Sequence, residues 1–187
     1  ICTAMIYACM RFLAEWHSPL TLVNYTLLGG ASGFTLAAAY ASSAAGELVK
    51  FLAGWAIVLT LLAAVFRVAS LMRNARLKPK STLQTAIGIK HPVIAQKSMG
   101  FMGGSFNTRE FFHGQRPERV RFVKWAFLLG AFLLPLLLLL AGRGAAQAGG
   151  VLLAAAFVVQ YAGLLAERWF FFAQANHPQN LYYQSVS

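Results

Sequence analysis

Gly149-Gly150-Val151-Leu152-Leu153-Ala154-Ala155-Ala156-Phe157-Val158-Val159-Gln160-Tyr161-Ala162-Gly163-Leu164-Leu165-Ala166-Glu167-Arg168-Trp169-Phe170-Phe171-Phe172 decides the fold. The run is apolar for longer than the roughly 20 residues a helix needs to cross a bilayer. It ends in an adjacent acid and base, followed by four aromatics. Gln160 and Glu167 are seven apart, so on a helix they share a face, and a polar face on an apolar helix turns toward a bundle interior. A carboxylate so near lipid is costly and is a functional candidate by default. The plainer reading is an interface marker, with Trp169 in the aromatic belt. Glu167 beside Arg168 is ambiguous. A tight ion pair would hold the carboxylate charged and poorly suited to moving protons. Adjacent helical residues point about 100° apart, so such a pair is not required.

The rest of the chain has the same character. Hydrophobic residues are 58% and charged residues 11% of 187, and mean hydropathy is +0.59. The fold class expected is an all-α, polytopic transmembrane helix bundle in a single domain, residues 1–187. A net charge of +11 could suggest nucleic acid, but 11 of the 16 basic residues lie between Arg73 and Lys124. That is the pattern of a cytoplasmic loop, and no nucleic-acid partner is expected.

Ile1 to about Trp16 reads as the end of a membrane helix, with Tyr7, Arg11 and Glu15 along one face. Pro19 stops it, and Trp16-His17-Ser18-Pro19 is an interfacial turn. Leu20–Ser42 spans without a charge; Gly29 and Gly33 form a small-xxx-small pair suited to close helix packing. The short connection Ser43–Glu47 makes the next span, Leu48–Leu71, its antiparallel neighbour. Lys50 and Arg67 lie near that span's ends and are expected to snorkel. Residues 72–123 form a basic loop carrying Lys90-His91 and Phe111-Phe112-His113. Aromatic groups among the charges suggest docking against a partner, and a bed on anionic lipid is the alternative. Lys124–Gly142 spans, with a kink expected at Pro135. Four complete helices and part of a fifth result, followed by a tail, residues 173–187. Cys2 and Cys9 are about two turns apart, too far for a disulfide, and read as packing residues.

Crossing counts put Glu15, His17, Asn24, Glu167, Arg168, Trp169 and His177 at one membrane surface, the side of the basic loop. That loop and the C-terminus are expected in the cytoplasm, and the multi-pass chain in a bacterial inner membrane.

Tyr7-Ala8-Cys9, Glu15-Trp16-His17-Ser18-Pro19-Leu20-Thr21 and Asn24-Tyr25-Thr26-Leu27-Leu28-Gly29 resemble the membrane-anchor subunit family of dimethyl sulfoxide reductase. So do Glu167-Arg168-Trp169 and Asn176-His177-Pro178-Gln179-Asn180-Leu181-Tyr182-Tyr183-Gln184. Within that family the chain is most similar to the branch that anchors membrane sulfite dehydrogenases. The resemblance implies about eight membrane helices, so the N-terminal part of the family domain is expected to be missing. It implies a non-catalytic anchor that exchanges electrons with quinone or quinol. Its partners would be an iron–sulfur subunit and a molybdopterin catalytic subunit, and it would hold no haem. None of the four histidines lies mid-membrane, which agrees with the absence of an axial haem pair.

Quinone reduction needs hydrogen-bond donors, a titratable group and flat apolar walls. Glu167, His17, Arg168, Trp169, Tyr7 and Asn24 are the candidates for that site. Lys90, His91, Phe111, Phe112, His113 and His177 are the candidates for partner docking. Sulfite oxidation is the expected reaction of the complex. A sulfoxide reductase anchor fed by quinol is the second reading. A transporter or a pure scaffold is less favoured, because the polar groups gather at one face instead of running through the membrane.

Overall fold

The computed structural model describes residues 1–78, 82, 84–85, 88–94, 116–145 and 149–175. Among these residues the regular structure is all helix, with no strand. The helices are α1 (Cys2–Ala8), α2 (Pro19–Ala44), α3 (Gly46–Ala75), α4 (Pro117–Leu128), α5 (Leu134–Gly144) and α6 (Gly149–Ala173). A five-residue π-helical stretch, Leu129–Leu133, joins α4 to α5 into one rod. Among the described residues three segments are long and apolar enough to cross a membrane: Gly46–Ala75, Glu118–Gly144 and Gly149–Ala173. The 26 residues of α2 match them in length and carry no charge, but Thr, Ser, Gly and Asn make it less apolar.

Local chemistry sets the helix ends. Ser18 caps α2, its Oγ accepting from the Leu20 amide at 3.2 Å, and Pro19 takes the first helical turn, where its missing N–H costs nothing. Ala45 alone separates α2 from α3, so they return antiparallel, as the short connection predicts. Pro135 can give no amide to the Ala131 carbonyl, and its ring crowds that carbonyl. The π-helical widening directly before it is how the rod accommodates both effects.

The four long rods form a square bundle. α2 packs beside α3 and α6, and the α4–α5 rod packs beside α3 and α6. This leaves α3 and α6 parallel to each other across the diagonal. Alanines let the helices approach: Ala38, Ala53 and Ala56 pack with Leu139, Leu153 and Ala156 toward one end. Leu28, Ala63, Phe127, Ala131, Phe132 and Phe170 form the core toward the other. Packing of small side chains, not hydrophobic transfer, drives helix association in lipid.

Three expectations are corrected here. Gly29 and Gly33 are not a packing seam; both are exposed, and a Cβ at either would meet nothing within 4 Å. The close glycine contact is Gly163 on α6 against Gly130 and Ala131 of the π stretch. The first helix ends at Ala8, so Tyr7, Arg11 and Glu15 do not share a helical face. From Cys9 the chain continues in tight turns, with Leu13 N bonding Met10 O at 3.1 Å and Trp16 N bonding Leu13 O at 3.1 Å. Finally, Arg67 does not snorkel: it is 1% exposed inside the bundle. Helical structure also extends into both flanks of the basic loop, to Ala75 and from Pro117.

Candidate functional site

Two polar rungs bridge the α3–α6 diagonal. Gln160 Nε2 donates to Thr60 Oγ1 at 3.2 Å, and Thr60 in turn donates to the Ala56 carbonyl at 2.7 Å. Seven residues further along both helices, about 10 Å, Arg67 Nε lies 2.7 Å from Glu167 Oε1. Parallel helices carry the same seven-residue step, which is why both rungs form. The inward face read from Gln160 and Glu167 is therefore real: they are 1% and 0% exposed.

Glu167 serves two guanidiniums. Its Oε2 accepts from Arg168 Nε at 2.6 Å and also pairs with Arg168 Nη2. The adjacent pair thus forms despite the angular offset, because the Arg168 side chain, about a quarter exposed, folds back along the helix. The Arg67 contact is close but poorly aligned, so Arg67 Nε and Glu167 Oε1 attract without a well-formed hydrogen bond. One carboxylate between two guanidiniums leaves a net charge of +1 in this cluster. A buried charge is costly unless paired, so the cluster is electrostatically unfinished. Its hydrogen bonding is unfinished too: Arg67 Nη2, Arg168 Nη1 and, on α2, Asn24 Oδ1 are buried without a hydrogen-bond partner among the described residues. Leu28 and Ala63 meet in one core cluster. One turn beyond each, Asn24 and Arg67 fall at the same level of the antiparallel α2–α3 pair.

An aromatic cluster adjoins the charges. The Arg168 guanidinium lies 4.0 Å from the Tyr25 ring centre and 4.9 Å from that of Phe171. Tyr7 stacks on Tyr25 at 5.8 Å and meets Trp16, Phe171 and Phe172 edge-on between 5.2 and 5.5 Å. Trp16 stacks on Phe171 at 5.3 Å, and its Nε1 donates to the Phe171 carbonyl at 3.0 Å. The turn that carries Trp16 is tied down from α3, where Arg73 Nη2 donates to the carbonyls of Ala14 at 3.0 Å and His17 at 3.3 Å.

The sequence candidates divide. Tyr7, Asn24, Glu167 and Arg168 belong to this end of the bundle and to its charged and aromatic clusters. His17 is exposed, and its Nδ1 donates to the Ala8 carbonyl at 2.7 Å. There it satisfies one of the carbonyls that the end of α1 leaves unpaired. Trp169 is 37% exposed, on the outward side of α6 from Glu167. Lys90 is exposed, and exposed His91 accepts from the Val93 amide at 3.1 Å, a local turn. Phe111, Phe112, His113 and His177 lie outside the described residues. Sequence reasoning missed Arg67, Tyr25 and Phe171 as site residues. A signal for Arg67 exists: Thr60 and Arg67 repeat the seven-residue polar spacing of Gln160 and Glu167.

This end of the bundle brings together packed aromatic rings, orphan N–H donors and an orphan amide carbonyl acceptor. No family model matches the chain, and no solved structure matches it. The chain is 54% identical, over all 187 residues, to a subunit of the sulfite dehydrogenase of Allochromatium vinosum, and it spans 57% of that protein's length. The likeness is to a sulfite dehydrogenase subunit and does not by itself extend to the wider anchor family that the end motifs resemble.

Proposed function

We propose that this chain is part of the membrane subunit of a sulfite-oxidising complex, and that it exchanges electrons with quinone at the end of the bundle bearing Glu167. The observation that carries the reading is the aromatic cluster of Tyr7, Trp16, Tyr25, Phe171 and Phe172 set beside buried, unsatisfied guanidinium donors. Ring walls suit a quinone headgroup, and the donors suit its oxygens. The 54% identity to a sulfite dehydrogenase subunit supports the substrate. In this reading a molybdopterin partner oxidises sulfite with one water to sulfate, releasing two electrons and two protons. An iron–sulfur partner relays the electrons, and quinone takes up two electrons and two protons. This chain's residues bind and orient the headgroup and keep water from it. Glu167, locked between two guanidiniums, acts as a fixed counter-ion and not as the proton carrier.

The test is the ratio of quinone-linked to artificial-acceptor-linked sulfite oxidation in the assembled complex. Tyr7→Ala removes the ring that touches four others. We expect that ratio to fall about tenfold, or about 1.4 kcal/mol. An unchanged ratio would place quinone elsewhere and leave this chain a scaffold.

The same reading puts residues 76–116 and the C-terminus in the cytoplasm, where the basic loop meets the iron–sulfur partner. A reporter fused at Ala146 is expected to act as external and one fused after Ser187 as internal. The reverse pattern would set the Glu167 end on the wrong side for an electron source in the cytoplasm.

A further inference from the structure

We infer that the Arg67–Glu167–Arg168 cluster is an anion-receiving site, built to take a negatively charged oxygen on a planar aromatic ligand in preference to the neutral carbonyl of the same ring. This rests on the quinone reading and deepens it by assigning the charge state that the site favours.

Three observations support the assignment. The first is the charge count. Two guanidiniums share one carboxylate. Arg67 and Glu167 are fully inside the bundle and only Arg168 reaches its surface, so the cluster carries one positive charge without a partner. In a low-dielectric interior a single added negative oxygen is worth far more than in water. The second is the set of unused donors. Arg67 is 1% exposed, and its Nη2 has no hydrogen-bond partner among the described residues; Arg168 Nη1 is likewise buried and unpaired there. Hydrogen bonds to the charged form of a ligand favour that form, and guanidinium donors to an oxyanion are among the stronger kinds. The third is access. The Arg168 side chain is 26% exposed and lies over Tyr25 and Phe171, so a ring entering along the aromatic cluster reaches Arg168 first. Glu167 has the role of a positioning residue: it fixes both guanidiniums while cancelling only one of them.

Arg168 is the residue to vary, because removing it leaves Arg67 and Glu167 as a neutral pair. The assembled complex is titrated with two naphthoquinone probes of the same ring, one bearing a hydroxyl that is ionised at neutral pH and one without it. Binding is read by quenching of tryptophan fluorescence, with no turnover involved. In the native complex the ionised probe is expected to bind at least tenfold more tightly. In Arg168→Gln the preference is expected to vanish, and in Arg168→Lys, which keeps the charge but loses the guanidinium fork, to be partly retained. If Arg168→Gln fails to assemble, the Lys variant alone decides, since an undiminished preference there overturns the role of the free guanidinium donor. Equal binding of both probes to the native complex overturns the inference and leaves the quinone reading standing. Binding of neither probe overturns both.

Discussion

Glu167→Gln is expected to destabilise the bundle by about 3–5 kcal/mol, the usual cost of breaking a buried ion pair by removing one partner. Sequence reasoning alone expects a milder result, slowed quinone turnover in an intact complex, because it treats Glu167 as a titratable group at an interface. The structure changes that expectation. Glu167 has no exposed surface, and it is the counter-ion of Arg67, which is itself 1% exposed. An amide leaves both guanidiniums uncompensated, and Arg67 has no route to water short of separating α3 from its neighbours. Arg168, about a quarter exposed, has such a route. The double variant Arg67→Gln/Glu167→Gln is therefore expected to recover at least half of the loss, since it removes the buried cation together with its anion. Equilibrium unfolding of the detergent-solubilised complex measures both variants. A single variant within about 1 kcal/mol of the native protein would mean that the cluster is solvated, as surface pairs are.

Periodicity made the inward face of α6 legible, and the physical reason is simple. Burial of Gln160 and Glu167 is decided by one helix's own repeat, which a linear sequence displays. The partners of that face come from α3, one hundred residues away and across a diagonal, and no local rule reaches them. Arg67 illustrates the gap. In a span ending at Leu71 it would sit near enough to the end to snorkel. The helix runs on to Ala75, about 12 Å past Arg67, and the Arg67 side chain faces inward onto Glu167 with 1% of its surface exposed. His17 fails differently. As a residue type it suits proton chemistry, but the early end of α1 leaves carbonyls exposed, and the imidazole is used to cap one of them. The short turn between α2 and α3 and the collection of polar groups at one end were legible because they depend on lengths and crossings alone. The span count was not, since three segments and not four meet the length and apolarity of a crossing among the described residues, and α1 is only seven residues long. The aromatic cluster was not, because it is assembled from α1, the following turn, α2 and α6.

Glycines on two of the helices give opposite expectations, and the comparison tests how the bundle is packed. Gly29 and Gly33 carry the familiar small-xxx-small spacing, yet both face outward with open space around them. Gly29→Ala is expected to be neutral or to stabilise by about 0.5–1 kcal/mol, the helix-propensity gain of alanine over glycine. Gly163 carries no such motif, but a Cβ there would overlap the Ala131 nitrogen and the Gly130 carbonyl carbon and lie 2.7 Å from the Ala131 Cα. These are backbone atoms of the π stretch and cannot turn aside as a side chain would. Accommodating the new group requires α6 to move off the α4–α5 rod or the π stretch to rewind. Rewinding is opposed by Pro135, which cannot supply the amide that an α-helical Ala131 carbonyl would need. Gly163→Val is therefore expected to cost about 3 kcal/mol or more, at the upper end for overpacked cores. Moving α6 also displaces Glu167 relative to Arg67, one turn further along. The loss is then expected to be less than additive with Glu167→Gln, because one shift already breaks the pair that the other removes. Unfolding of the two single variants and the double variant checks this. Strict additivity would show that the Gly163 contact and the ion pair are independent, with the rod free to yield at Gly163 while the charged end stays in place.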